Sequence, residues 1–193
     1  KDGIPSIDNP KFVSVSEARD FVREDTLGIL VKSGGETKFY PYNIMLWHEI
    51  VNDDVGGEPL AITFCPLCAT GIVFEREIGG TVYDFGTSGK LYKSNLVMYD
   101  RQTDSYWSQA LGKAIAGELT GTELVVYPSA IVDFKTASEN NPEMIVLSTD
   151  TGYVRDYSFN PYSSYEQSDE VGFGATFVDK RLLGKVQKLN AAG

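Results

Sequence analysis

Three pairs of adjacent glycines, Gly34–Gly35, Gly56–Gly57 and Gly79–Gly80, punctuate the first half of the chain, each between short runs rich in β-branched and aromatic residues. Adjacent glycines supply the positive φ angles that two-residue hairpin turns require, so the pattern constrains the chain towards short antiparallel strands. The stretch "TLGILVKSGGETKFYPY" (26–42) reads as two strands about Gly34–Gly35, and "GIVFEREIGGTVYDFG" (71–86) as a hairpin about Gly79–Gly80. Between them Gly56–Gly57 breaks the chain ahead of "PLAITFC" (59–65), which has the composition of a buried strand.

Helical signals are few. Ser14 and Glu17 stand at capping-box spacing before a short amphipathic run, so a brief helix is expected there. Pro41 suits the first turn of a helix, and residues 42–53 follow with Ile44, Trp47, His48 and Val51 at helical spacing on one face. From 91 to 148 short β-like runs alternate with turn clusters, with a helical turn leading into "ENNPEM". Residues 155–170 are Tyr-rich, polar and irregular, the kind of segment that walls functional sites. No internal repeat, linker or shift in composition divides the chain. The expectation is one α+β domain over residues 1–193, dominated by short antiparallel strands and hairpins with a few short helices.

Charge excludes some functions. A formal net charge of −10 without a cluster of Lys or Arg argues against nucleic-acid and anionic-lipid partners. The longest apolar runs, such as "GILV" and "TELVVY", are far shorter than the roughly 20 residues of a membrane-crossing helix, so no transmembrane segment is expected. "FGTSGKL" (85–91) lacks the first glycine and the final Ser or Thr of a phosphate loop, and there is no G-x-S-x-G.

The chemistry concentrates in "TFCPLCATGIVF" (63–74), which holds both cysteines of the chain. A disulfide across two intervening residues closes too small a loop to stabilise much. A thioredoxin-like couple would place the pair at the start of a helix, whereas Gly71, Ile72 and Val73 favour a turn and a strand. Two thiolates a few residues apart on a turn supply half of a metal site, and inert burial is the remaining reading. His48, the only histidine, lies 17 residues before Cys65, which leaves enough chain to return a strand end to the helix. Cys65, Cys68 and His48 are therefore the candidate metal ligands, and soft thiolates favour copper, with zinc next. Three ligands leave a position open for a small-molecule substrate or for exchange with a metal donor. The competing reading is a metal-free thiol–disulfide protein using the same cysteines; a third is a non-catalytic binding domain. Glu49 beside His48 does not fit the H-x-E and P-C-x-x-C pattern of nucleobase deaminases.

Asp100, Arg101, Thr103 and Asp104 read as a turn with internal side-chain hydrogen bonds ahead of strand residues Tyr106 and Trp107. Around the expected metal, Trp47 packs beside the ligand histidine, Tyr99, Trp107, Tyr162 and Tyr165 are candidate pocket walls, and Asp100 or Glu49 is the candidate partner to the imidazole.

The segments "KDGIPSIDNPKFVS", "WHEIVND", "TFCPLCATG", "SGKLYKSNLVMYDRQTDSYWSQ", "AIAGELTG" and "RDYSFNPYSSY" together resemble an uncharacterised prokaryotic family catalogued as domain of unknown function 3179. The resemblance implies an exported or membrane-anchored protein, hence an extracytoplasmic location, and adds weight to a site built from the same three residues. It also implies glycine after "CPLC", where this chain has Ala69, so that a positive φ at this position would be strained.

Overall fold

The computed structural model describes residues 1–166. Of these, 44% are strand and 13% helix, so the molecule is mostly β, with several small sheets and few short helices. The glycine pairs act as the sequence indicates: β2 (Leu27–Ser33) and β3 (Glu36–Pro41) turn at Gly34–Gly35, while β4 (Ile50–Val55) and β5 (Glu58–Cys65) turn at Gly56–Gly57. β6 (Thr70–Glu75) follows the cysteine turn and pairs with β5, and β7 (Glu77–Ile78) and β8 (Thr81–Val82) make the small hairpin about Gly79–Gly80. That hairpin is shorter than the one expected over 71–86, because β6 turns back onto β5 instead.

Three sheets stack. The outer sheet has the order β1-β15-β3-β2-β14, where β1 is Phe12–Ser14, β14 is Ser129–Asp133 and β15 is Ile145–Leu147. Its pairings are antiparallel except for the parallel pair of β15 with β3. The central sheet is β13-β6-β5-β4, with β13 at Val126–Tyr127. The third is β12-β11-β10-β9, with β9 Phe85–Tyr92, β10 Asn95–Asp100, β11 Tyr106–Ser108 and β12 Lys113–Ala116.

Strand β5 shows why the central sheet is apolar on both faces. Leu60, Ile62 and Phe64 enter the core shared with the outer sheet, and Ala61 and Cys65 enter the core shared with the third sheet beside Met98 and Trp107. A strand with both faces buried loses its polar alternation, and "PLAITFC" reads accordingly. α1 (Val15–Ala18), closed by the expected Ser14–Glu17 capping box, and α3 (Phe134–Asn140), capped by Asp133, cover the far face of the outer sheet through Phe134, Ala137 and Ala18.

The helix expected over 42–53 is only α2 (Tyr42–His48). It ends because Glu49 takes φ +60°, and Ile50–Val55 then alternate in period two, Ile50 into one core and Val51 into the other. Val51 satisfies both periodicities, and pairing with β5 decides between them. The tail is irregular up to α4 (Ser163–Glu166), as expected; the last residues of the 155–170 segment lie outside the described residues.

Two turns touch. A Cβ on Gly34 would lie 2.2 Å from the Gly56 carbonyl oxygen, and one on Gly56 would lie 2.2 Å from that of Ser33. Only glycine fits at either tip.

Candidate functional site

Cys65 ends β5, and residues 66–69 form the turn into β6. The Cys68 N–H closes that turn on the Cys65 carbonyl at 3.3 Å, and Ala69 holds φ +49°, the left-handed conformation that glycine would occupy without strain. Cys65 is buried and Cys68 is exposed, and both are free thiols.

The Cys68 sulfur faces donors. Asn95, at the start of β10, presents its side-chain amide Nδ2 at 3.2 Å. That orientation is forced: Asn95 Oδ1 accepts the Ala110 backbone N–H at 2.9 Å, and a backbone amide can only donate. The second Nδ2 hydrogen goes to Gln109 Oε1 at 2.8 Å, Gln109 Nε2 donates to Thr63 Oγ1 at 2.9 Å and to the Thr70 carbonyl at 3.0 Å, and the Thr63 hydroxyl donates to the Ile72 carbonyl at 2.6 Å. Asn95, Gln109 and Thr63 are all buried. Every group in this chain is answered, and it ends on a sulfur that must accept.

The electrostatics follow from this geometry. The Cys65 thiol donates to Cys68, and that bond, with the Thr70 hydroxyl and the Asn95 amide, outweighs partial burial and lowers Cys68 to about 6. Cys65 moves the opposite way, raised by the same bond and then by burial. The two thiols are thus pushed in opposite directions, Cys68 towards the thiolate and Cys65 towards the thiol.

Glu49 lies against this pair. It is buried, its carbonyl accepts the Phe64 N–H at 2.7 Å, and Tyr162 Oη donates to Glu49 Oε1 at 3.1 Å. Burial, opposed by the Tyr162 bond and reinforced by the Cys68 charge, raises its carboxyl to about 7. Tyr165 Oη donates to the Leu67 carbonyl at 3.2 Å, inside the cysteine turn. Tyr165 thus bonds to the cysteine turn itself, and Glu49, held by Tyr162, lies near enough to sense the Cys68 charge.

The other candidates are placed elsewhere. His48 is buried, with Nδ1 donating to the Pro5 carbonyl at 2.8 Å and Nε2 accepting from Tyr157 Oη at 2.7 Å; Tyr157 Oη lies 2.6 Å from Thr151 Oγ1. Both ring nitrogens are occupied, and burial lowers its pKa. Among the described residues no three His, Cys, Asp or Glu side chains are grouped so as to hold a metal ion. The set Cys65, Cys68 and His48 is not assembled in this structure: the helix stops at His48, which points its ring at the 3–5 and 151–157 segments, while Glu49 takes the side of the cysteines. Asp100 does not partner the imidazole. Its carboxylate binds Thr103 and accepts Trp107 Nε1 at 2.9 Å, so the turn expected there is present and structural. Trp107 shares a core with Cys65, and the Tyr99 hydroxyl is bonded to Asp2. Trp47 Nε1 donates to the Phe159 carbonyl at 3.2 Å.

The sequence reading missed Asn95, Gln109, Thr63 and Thr70. Their signal was available: an Asn and a Gln at the ends of apolar strand runs need partners when those strands are buried. The sequence model of one family, described as protein of unknown function (DUF3179), matches residues 1–189. The chain belongs to that family. Four of the six segments that carry the resemblance to DUF3179 build the site: "TFCPLCATG" forms the turn, "SGKLYKSNLVMYDRQTDSYWSQ" brings Asn95 and Gln109, "WHEIVND" brings Glu49, and "RDYSFNPYSSY" brings Tyr162 and Tyr165. Comparisons with curated proteins and with solved structures returned no match.

Proposed function

We propose that this DUF3179 protein is a thiol–disulfide exchange protein in which Cys68 attacks and Cys65 resolves. The observation that carries the reading is the Asn95 amide, locked by the Ala110 N–H so that it can only donate to the Cys68 sulfur. A sulfur so placed favours the thiolate, which is the attacking species. In the first step Cys68 S⁻ bonds to one sulfur of a substrate disulfide, the substrate S–S bond breaks, and the other sulfur leaves as thiolate and takes up a proton. In the second, Cys65 attacks the Cys68 sulfur, the Cys68–substrate bond breaks, and the Cys65 proton passes to the departing substrate thiolate. The substrate disulfide gains two electrons and Cys65–Cys68 becomes the oxidised pair. An extracytoplasmic location would supply disulfide substrates. A copper reading keeps the two sulfurs, as soft donors for Cu(I), and requires donors other than His48.

Thiolate absorbance against pH, with thiol titration before and after reduction, tests the proposal. The expected result is one thiolate appearing with a midpoint near 6, absent in Cys68→Ser and moved upwards by about one unit in Asn95→Ala. A redox titration then yields a two-electron couple. Two thiols that stay unreactive in the folded protein, or a midpoint at the free-cysteine value of about 8.5, overturn it. Binding of one equivalent of Cu(I) that survives a competing chelator and silences both thiols would favour the copper reading.

A further inference from the structure

The last turn of α2 does more than present Glu49. Three consecutive side chains each pin a different part of the chain: Trp47 Nε1 holds the Phe159 carbonyl at 3.2 Å, His48 holds Pro5 at 2.8 Å and Tyr157 at 2.7 Å, and Glu49 holds Tyr162 at 3.1 Å. Residues 3–5, 154–156 and 161–162 thereby line, with Leu46 and Trp47, an open cavity of about 610 Å³. That volume lies within the range of small-ligand sites. The Trp47 N–H is answered by the Phe159 carbonyl, so Leu46 and Trp47 offer the cavity apolar surface.

The charge in this cavity is specific. Arg155 lines it with its guanidinium carbon 5.9 Å from the Trp47 ring centre. Its Nη1 donates to the Val154 carbonyl at 2.9 Å, and it makes no ion pair among the described residues, although acidic residues outnumber basic ones 27 to 17. The neighbouring Asp156 carboxylate accepts from Ser158 N–H at 3.0 Å and Ser158 Oγ at 2.6 Å. Val154, on the same rim, is 96% exposed. Asp156 also lines the cavity but spends its carboxylate on Ser158, so among the described residues Arg155 is a cation with no ion pair beside an aromatic face and uncovered apolar surface, which matches a carboxylate on an apolar body.

We infer that the cavity binds a small organic carboxylate with an aryl or alkyl body, its anion on Arg155 and its body over Trp47. The cavity meets the thiol site through Tyr162, which lines the one and donates to Glu49 at the other, but the carboxylate site does not rest on the exchange chemistry. The carboxylate can belong to a free acid or to the C-terminus of a peptide. Two-dimensional NMR of the whole chain, following the Trp47 indole N–H, uses 4-phenylbutyrate, 4-phenylbutanol and an acetylated tripeptide ending in Phe, with free or amidated C-terminus. The expected result is saturable movement of that resonance by the acid, with the alcohol about tenfold weaker. Arg155→Gln should lower the affinity of the acid about tenfold and leave the alcohol unchanged; Arg155 is exposed, so this variant keeps its fold. Stronger binding of the free-ended peptide than of the acid assigns a peptide terminus as the source, and the reverse assigns a free acid. No saturable shift from either carboxylate at about 10 mM, or an acid affinity indifferent to Arg155→Gln, overturns the inference.

Discussion

Two buried polar clusters lie on opposite faces of the central sheet, and they end differently. On the outer-sheet side Lys38 Nζ meets Asp53 Oδ2 at 3.1 Å and the Asp54 carbonyl at 2.7 Å, while Tyr40 Oη donates to Asp53 Oδ2 at 2.6 Å. Lys38 and Asp53 are each 7% exposed, and the cluster closes on charge pairs, with Asp53 inside it and the exposed Glu36 carboxylate 3.6 Å from Lys38 Nζ at its rim. On the other side the Thr63–Gln109–Asn95 chain is equally buried and equally satisfied, but its last donor points at an exposed sulfur. Burial and satisfaction alone do not separate a structural network from a working one. What separates them is the chemistry of the group each presents to solvent, a paired carboxylate on one side and a nucleophilic sulfur on the other.

The largest effect should come from breaking the closed cluster. Lys38→Met leaves Asp53 buried without its cation and should cost about 3–5 kcal/mol in denaturant unfolding. Replacing Lys38, Asp53 and Tyr40 together by Met, Leu and Phe should recover most of that loss, and the thiolate midpoint should not move in either variant. A moved midpoint would show that the two faces are coupled.

A smaller effect sharpens the contrast from the working side. The Glu49 carboxyl is raised from 4.5 to about 7. The unfolded chain therefore ionises first, and stability falls as pH rises from about 4.5 through about 7. Glu49→Gln removes this penalty while keeping an acceptor for Tyr162. The variant should match the wild type at pH 4 and exceed it at pH 9 by about 3 kcal/mol, read from unfolding at both pH values. An equal gain at both would mean that ionisation is not the cause.

The smallest effect concerns the turn itself. Ala69→Gly relieves the positive φ, offset by glycine's greater freedom when unfolded, and should raise stability by about 0.5 kcal/mol. A loss of stability would show that the Ala69 side chain contributes more by contact than it costs by strain.

Local chemistry made much of this legible in advance. The Ser14 capping box, the Gly34–Gly35 and Gly79–Gly80 turns and the Asp100–Thr103 turn all depend on neighbours within a few residues, and each is present; the positive φ at Ala69 was implied by the family resemblance instead. What was not legible depends on one backbone angle. Nothing in "WHEIVND" announces that Glu49 turns left-handed, yet that φ ends the helix, sends Ile50 and Val51 into a strand, and exchanges Glu49 for His48 beside the cysteines. The aromatic residues divide on the same basis: Tyr162 and Tyr165 reach the cysteine turn because the irregular segment folds back over it, whereas the Tyr99 hydroxyl turns outwards to the N-terminal segment. Long-range placement of this kind has no local signature.

The contact between the Gly34 and Gly56 tips has a practical meaning for anyone adding to this chain. Hairpin ends are the usual places to graft an epitope, a loop or a spectroscopic label, because they tolerate extra residues. Here two of the three glycine-pair tips are abutted backbone to backbone, and a single methyl at either would strike a carbonyl oxygen at 2.2 Å. An insertion at one would have to displace the other, along with the alignment of the outer and central sheets. Gly79 and Gly80 have nothing within 4 Å of where a side chain would stand, so that third tip is the permissive position for a graft.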